Sequence, residues 1–173
     1  MRGFSALGLY RPKTPENVGG ALRASDIYGC SMFAIEGERN PRIRHGTNVS
    51  RAERRIPVLM TDFLIDVRPF DCPIVVVELR PNAVPLPTFK HPERAFYILG
   101  PEDGSVGARH IDHAQHVVYV PGRQCMNLAA CANVVLYDRM VKRGEWQGSS
   151  GVERGTENSG VGGSIPPLAA NHR

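Results

Sequence analysis

The chain has 173 residues, of which 42% are hydrophobic, and this length and composition suit one domain of ordinary size. Lys and Arg outnumber Asp and Glu by 21 to 17, so the charge favours polyanionic partners only weakly. No apolar run approaches the roughly 20 residues that cross a bilayer, which gives a membrane role no support. The four cysteines form no CxxC pair and the N-terminus lacks the apolar core of a signal peptide, so we expect a cytoplasmic protein with reduced thiols.

The N-terminal part of the chain predicts a β-α-β unit. Apolar runs at residues 5–10 and 31–35 indicate two strands. Between them, Thr14 is a candidate helix cap, Pro15 suits the first helical position and Gly29 suits the helix end. Because a helical crossover joins the strands, we expect them to be parallel.

The following segment, residues 37–55, is polar and rich in arginine. Arginine forks match phosphate oxygens, so one interpretation is a phosphate-binding surface. The alternative is a solvated surface on which Glu38 and Glu53 pair with the arginines. The candidate phosphate-binding residues are Arg42, Arg44, Arg51, Arg54 and Arg55.

Four more strands and a final helix are predicted in the rest of the chain. The strands are predicted at residues 56–60, 73–79, 95–99 and 117–120, and the helix at 127–142. The runs at 73–79 and 95–99 are continuously apolar, as in strands that are covered on both faces. Residues 147–173 are rich in Gly and Ser, so we predict a disordered tail after a domain at 1–146.

Three histidines, His110, His113 and His116, occur at intervals of three. On a helix they would share a face and could bind a metal. Structural zinc normally requires Cys or a tighter ligand set, so we favour a solvated connector and predict no metal.

Two compact signals follow predicted strands. One is Gly100-Pro101-Glu102-Asp103-Gly104 and the other is Cys125-Met126-Asn127-Leu128. A strand that leads into a Gly-rich turn and then a helix is where α/β folds place ligand sites. We therefore expect an α/β fold, with a mostly parallel sheet flanked by helices, and a ligand cleft between residues 100 and 137.

Three motifs resemble those of the SpoU/TrmH class of the SPOUT superfamily, the RNA ribose 2′-O-methyltransferases. Residues 15–23, PENVGGALR, are similar to the class signature N-x-G-x-x-x-R. Residues 98–102, ILGPE, are similar to its F-G-x-E turn, and residues 120–137 are similar to its I-P-M…S-[LM]-N-[VL]-S…LYE ending. Within the class, the chain most resembles the small TrmL-like enzymes that methylate the tRNA wobble nucleotide, by its Gly-Pro-Glu turn at 100–102, its Met126-Asn127 pair and the lack of an added RNA-binding domain.

The resemblance implies a fold, a cofactor and partners. The fold would carry a deep trefoil knot near its C-terminal end, and two copies would form a homodimer through the knot region. S-adenosylmethionine would be the methyl donor, and no metal would be needed. The acceptor would be RNA, with tRNA as the first candidate. The arginine-rich segment would then contact RNA phosphates.

The resemblance also implies roles for particular residues. Arg23 would project toward the reacting hydroxyl, with Asn17, Glu102 and Asn127 shaping the site around it. Arginine is a poor base because its pKa exceeds about 12, so its role would be to hold the adjacent phosphate and stabilise alkoxide charge. The cofactor would contact Leu79, Leu99, Gly100, Pro101, Glu102, Gly104, Val120, Gly122, Cys125, Met126, Asn127 and Leu128.

The sequence departs from the class at two of these positions. Cys125 replaces a serine, and Gly122 stands where methionine is common; a thiol is a weaker hydrogen-bond donor than a hydroxyl. Two other functions therefore stay open. One is an RNA-binding protein of this fold that has lost methyl transfer, and the other is an enzyme that methylates a base nitrogen.

Overall fold

The computed structural model describes residues 3–37, 47–48 and 50–145 and contains a seven-stranded parallel sheet. The strands are β1 (Phe4–Tyr10), β2 (Met32–Glu36), β3 (Val58–Thr61), β4 (Ile74–Val77), β5 (Val84–Pro85), β6 (Arg94–Leu99) and β7 (His116–Tyr119). Their order across the sheet is β3-β2-β1-β6-β4-β7-β5. Because all pairs are parallel, every strand ends at the same edge of the sheet.

Helices cover both faces of this sheet. They are α1 (Pro15–Ile27), α2 (Ala108–Asp112) and α3 (Leu128–Lys142), with short 3-10 turns at Ala52–Arg54, Leu64–Val67 and Leu86–Thr88. One apolar cluster joins α1 and α3 to one face, and a second joins the Leu64–Val67 turn and α2 to the other. Along β6, Tyr97 belongs to the first cluster and Phe96 to the second, which explains why this strand is apolar throughout.

The predicted α/β fold with a parallel sheet is confirmed, and six strands lie within two residues of their predicted bounds. Asn127 is the N-cap of α3, and Gly29 follows α1 with a φ of 71°. The short edge strand β5 was not predicted, because its two residues carry no alternating pattern. Trp146, the predicted tail at 147–173, and Arg42 and Arg44 lie outside the described residues.

The prediction of a solvated connector between residues 104 and 117 is wrong. The segment contains α2, and His110 on that helix is only 2% exposed. Its Nε2 atom lies 2.6 Å from Oε2 of Glu36, and that same carboxylate oxygen accepts a hydrogen bond from the backbone N–H of Leu64. His110 is thus buried by a partner 74 positions away, a contact that no local pattern reveals.

Arg139, a cation near the C-terminal end of α3, is buried. It is 1% exposed, and its guanidinium donates hydrogen bonds to the carbonyl oxygens of Phe4, Pro92 and Glu93. A buried guanidinium needs such acceptors. Arg139 therefore fastens the end of α3 to the amino-terminal edge of the sheet.

Two absences hold for the part of the chain that the structure describes. No helix there is long and apolar enough to span a membrane. No cluster of His, Cys, Asp and Glu side chains there is arranged to hold a metal ion.

Helices α1 and α3 touch at Gly20. A Cβ atom on Gly20 would lie 2.8 Å from Cβ of Ala129, closer than carbon atoms approach without a shift. The short side chain of Ala129 cannot rotate away, so the absence of a side chain at Gly20 sets the distance between the helices.

We predict that Gly20→Ala destabilises the protein. Alanine is favoured over glycine in a helix by roughly 1 kcal/mol, but overpacking here should cost about 1–3 kcal/mol, so the clash should win. Urea denaturation measures the change in the free energy of unfolding. Adding Ala129→Gly should recover part of the loss, and a Gly20→Ala protein as stable as wild type would contradict the close contact.

Candidate active site

Three loops meet at the carboxyl edge of the sheet, after β1, β6 and β7, and Glu102 joins the first two. Its carboxylate accepts hydrogen bonds from the backbone N–H of Lys13 at 2.9 Å and of Thr14 at 3.3 Å. The hydroxyl of Thr14 also donates to it, at 3.2 Å. Thr14 precedes α1 but makes no side-chain cap of its own helix, because its hydroxyl is turned to Glu102.

Asn17 extends this contact to the third loop. Its Nδ2 atom donates to Oε1 of Glu102 at 2.5 Å, and its Oδ1 atom accepts from Nδ2 of Asn127 at 2.9 Å. Oδ1 of Asn127 in turn accepts from the backbone N–H groups of Ala129 and Ala130 at the start of α3. Asn127 is therefore both a helix cap and a member of this chain of hydrogen bonds. We call Glu102, Asn17 and Asn127 the amide–carboxylate chain.

The environment keeps Glu102 ionised. Burial alone raises the pKa of its carboxyl group, but the hydrogen bonds from Asn17 and from the backbone of Lys13 and Thr14 outweigh burial and hold the pKa below the ordinary value of 4.5. At neutral pH Glu102 is thus an acceptor of hydrogen bonds and not a proton donor. Lys13 adds an exposed ion pair to the same turn, with Nζ 3.2 Å from Asp103.

Arg23 is not part of the amide–carboxylate chain. It is exposed on α1, six residues after Asn17 and about 9 Å further along the helix axis. Among the described residues, Arg23 has no hydrogen-bond or ion-pair partner. Its guanidinium is therefore available to a ligand that approaches this side of α1.

A cavity of about 360 Å³ opens between the carboxyl ends of β4, β6 and β7. Of the twelve residues predicted to bind cofactor, eleven line it, and Asn127 does not. The structure adds six lining residues that were not predicted: Val77, Glu78, Tyr119, Arg123, Gln124 and Cys131. The volume is in the range of small-molecule sites, roughly 300–1,000 Å³.

Two glycines in the wall of the cavity are closely packed. A Cβ on Gly100 would lie 3.1 Å from Val106 and 3.3 Å from Oε2 of Glu78. A Cβ on Gly122 would lie 3.3 Å from the carbonyl oxygen of Gln124. A side chain at either position would therefore displace its neighbours in the wall.

Glu78 is a lining residue that sequence reasoning missed. Its Oε2 atom accepts a hydrogen bond from the backbone N–H of Val106 at 2.9 Å, which fixes the turn after β6 against the end of β4. The signal was present in the sequence, since Glu78 is a charged residue directly after a buried apolar strand. The predicted strand at residues 73–79 includes Glu78, so the residue was not predicted to line a site.

The candidate phosphate-binding arginines that the structure describes fall into two groups, exposed residues and one that is ion-paired. Arg51 and Arg54 are exposed beside the turn Ala52–Arg54. Arg55 instead forms a bidentate ion pair with Asp26 on α1, with Nε 2.8 Å from Oδ1. The hydrogen bond from Arg55 lowers the pKa of Asp26 below its ordinary value. Arg55 is thus paired within the protein, and its partner Asp26 is not one of the two carboxylates, Glu38 and Glu53, that the sequence suggested.

Most of this chain matches the model of one known protein family. Residues 5–137 match the model of the SpoU rRNA methylase family. The chain belongs to the SpoU rRNA methylase family. Membership confirms the predicted resemblance to a class of RNA methyltransferases, members of which have been solved with AdoMet bound.

Solved structures share the fold of this SpoU-family chain. The AdoMet-bound rRNA methyltransferase from Sinorhizobium meliloti aligns with a TM-score of 0.68 at 22% identity, over 82% of this chain and 57% of that one. The A. aeolicus TrmH/SpoU tRNA modifying enzyme aligns with a TM-score of 0.74 at 15% identity, over 85% of this chain and 78% of that one. A structure described as giving insights into the 2-OH methylation of C/U34 on tRNA aligns with a TM-score of 0.69 at 15% identity, over 84% of this chain and 99% of that one.

This chain thus spans little more than half of the Sinorhizobium meliloti protein. A search of curated protein sequences found no match.

Two cysteines of this SpoU-family chain line the cavity and differ in environment. Cys125, at the position of the class serine, is exposed, whereas Cys131 is partly buried. Burial raises the pKa of the Cys131 thiol to about 11, so it stays protonated and unreactive at neutral pH. Cys30 and Cys72, outside the cavity, are each 2% exposed, and burial raises the pKa of both thiols.

We predict that N-ethylmaleimide modifies Cys125 first and that S-adenosylmethionine protects it. Intact-mass spectrometry should show one rapid adduct, formed about tenfold more slowly when the cofactor is saturating. Cys125→Ser should abolish the rapid adduct and serves as the control. An unchanged rate of modification in the presence of bound cofactor would place the cofactor away from Cys125.

Proposed function

We propose that the protein transfers a methyl group from S-adenosylmethionine to the 2′-hydroxyl of a ribose in RNA. The observation that carries the proposal is the amide–carboxylate chain, which joins the loops of all three motifs directly beside the cavity. Methyl transfer needs an in-line approach of acceptor and donor, so rigidly joined loops are what this chemistry requires.

Each residue then has a role that its environment allows. S-adenosylmethionine supplies the methyl group on a sulfonium, and Gly100, Gly122 and their neighbours in the cavity would hold it. Arg23 would bind the phosphate beside the target ribose and stabilise negative charge on the hydroxyl oxygen as its proton passes to solvent water. Glu102 and Asn17 would position the first turn of α1, and Asn127 the start of α3.

tRNA is our first candidate for the RNA. The structure concerned with 2-OH methylation of C/U34 on tRNA aligns over nearly its entire length, and the TrmH/SpoU tRNA modifying enzyme has the highest TM-score of the three structures compared above. The wobble nucleotide is the proposed target, because the motifs resemble those of the TrmL-like class and the structure concerned with C/U34 shares this fold. We propose the cytoplasm as its compartment, and the four free thiols fit that proposal.

We also propose that the chain forms the deep trefoil knot of the SPOUT fold. The sheet order supports the knot, since β4 lies between the later strands β6 and β7 and the chain returns among elements already placed. The loops after β6 and β7 line one cavity, which is the place where a knot would hold the cofactor.

The first test is methyl transfer from labelled S-adenosylmethionine to a tRNA pool, followed by alkaline hydrolysis. A methylated ribose blocks cleavage of its own phosphodiester bond, so the label should remain in alkali-resistant dinucleotides. Mass analysis of nucleosides separates the alternatives: a methyl group on a base would favour the base-nitrogen enzyme. Binding of tRNA without any transfer would favour the protein that has lost catalysis.

We predict that Arg23→Ala lowers kcat by about 100-fold or more, the usual effect of removing a group that stabilises transition-state charge. Arg23→Lys should recover part of the rate, because it keeps the charge without the planar fork. The affinity for S-adenosylhomocysteine should stay unchanged in both variants. Transfer undiminished by Arg23→Ala would exclude the proposed role.

A homodimer is the proposed assembly. Along α3, Val134, Tyr137 and Val141 follow one another at helical spacing, and Tyr137 and Val141 are 54% and 45% exposed. Ile27 at the end of α1 is 58% exposed, and the ring of Tyr28 contacts that of Tyr137 at 6.2 Å between centroids. An exposed apolar face on two helices that begin at the site fits an interface between two copies.

We predict that Tyr137→Glu converts a dimer to a monomer, because it places a charge in the centre of the proposed apolar interface. Analytical ultracentrifugation measures the mass in solution. Arg68→Glu is the matched control and should leave the dimer intact, because Arg68 is exposed after the Leu64–Val67 turn, on the face of the sheet opposite α1 and α3. A wild-type monomer at concentrations of tens of micromolar, or a Tyr137→Glu dimer of wild-type stability, would contradict this interface.

A further inference from the structure

Arg11 has an unusual backbone conformation. Its φ is 47°, in the left-handed region, and within the described residues only Arg51 and Asp71 share a positive φ among the residues other than glycine. Asp tolerates this region because its short side chain bonds locally, but Arg has no such advantage. Arg11 also precedes Pro12, and a following proline disfavours helical conformations of the preceding residue. Glycine would fit this position with less strain.

The surrounding structure holds Arg11 in place from two sides. Its backbone N–H donates to the carbonyl oxygen of Glu36 at 2.8 Å. The stem of its side chain lies against Gly37, where a Cβ would be 3.0 Å from Cγ of Arg11. Gly37 has a φ of 112°, so both neighbouring strand ends bend to accommodate this side chain. Strain that is held this firmly at a functional site suggests that the side chain has a use there.

The position of Arg11 indicates what that use is. It lies directly after β1, two residues before Lys13, whose backbone N–H bonds to Glu102 of the amide–carboxylate chain. The neighbouring cations are engaged: Lys13 pairs with Asp103, and Arg109 lies over the ring of Phe63 at 3.9 Å. The described part of the chain offers the exposed guanidinium of Arg11 no carboxylate or carbonyl partner.

We propose that Arg11 binds a backbone phosphate of the substrate RNA and so positions the target ribose at the carboxyl edge of the sheet. The proposal rests on the proposed methylation of RNA. A guanidinium presents a planar fork that matches two phosphate oxygens, and phosphate contacts fix the register of a nucleic acid on a protein. The strained backbone lies in the loop that leads from β1 into α1, the helix that carries the first motif.

The decisive variant is Arg11→Gly, which removes the side chain and relieves the backbone strain together. Its thermal midpoint should equal or exceed that of wild type, so that lost RNA binding cannot be attributed to unfolding. The affinity for a tRNA pool should fall severalfold, and the slope of log K against log salt should shrink by about 1, the loss of one phosphate contact. In the methylation assay KM for RNA should rise while kcat changes little. Arg11→Lys should restore part of the affinity.

Asp71→Gly is the matched control, because it relieves a similar backbone conformation in the loop before β4, at the opposite edge of the sheet. It should leave tRNA affinity and the salt slope unchanged. An Arg11→Gly protein that binds tRNA with wild-type affinity and slope would overturn the proposal. The binding measurement needs no turnover, so a wild-type protein that binds tRNA without methylating it would contradict the proposed function while leaving the role of Arg11 intact.

Discussion

The site depends on the amide–carboxylate chain of Glu102, Asn17 and Asn127. These three side chains come from segments that follow three different strands, Asn17 from the first turn of α1, and hydrogen bonds of 2.5 and 2.9 Å join them. Glu102 stays ionised and accepts hydrogen bonds from two backbone N–H groups just before α1. The amide–carboxylate chain therefore also fixes the helix that carries Arg23. Any movement of one segment would leave polar groups of the others without partners, which favours a rigid edge of the sheet where the proposed methyl transfer requires precision.

The parallel sheet is what brings these loops together. All seven strands end at one edge, so segments far apart in sequence are neighbours there. The contact between Gly20 and Ala129 sets α1 close enough to α3 for Asn17 to reach Asn127. At the opposite edge Arg139 holds the far end of α3 to backbone carbonyls, so this helix is fixed at both ends.

Local patterns predicted much of this fold, and the resemblance predicted which residues would lie around the cavity. Apolar runs were sufficient to predict six strands, since strands covered on both faces are apolar throughout. Asn is a residue type that suits a helix cap, and the motif implied a place beside the site for Asn127; in the structure it caps α3 and bonds to Asn17. The burial of His110 and Arg139 was not predictable, because their partners are distant in sequence and become neighbours only in the folded sheet.

The proposed function requires the cavity beside the amide–carboxylate chain to hold the methyl donor. A crystal structure with S-adenosylhomocysteine tests this requirement. We expect the ligand between the carboxyl ends of β4, β6 and β7, against Gly100 and Gly122, with its sulfur directed toward Asn17. Binding of the ligand elsewhere on the protein, with this cavity empty, would show that the cavity is not the site of the methyl donor.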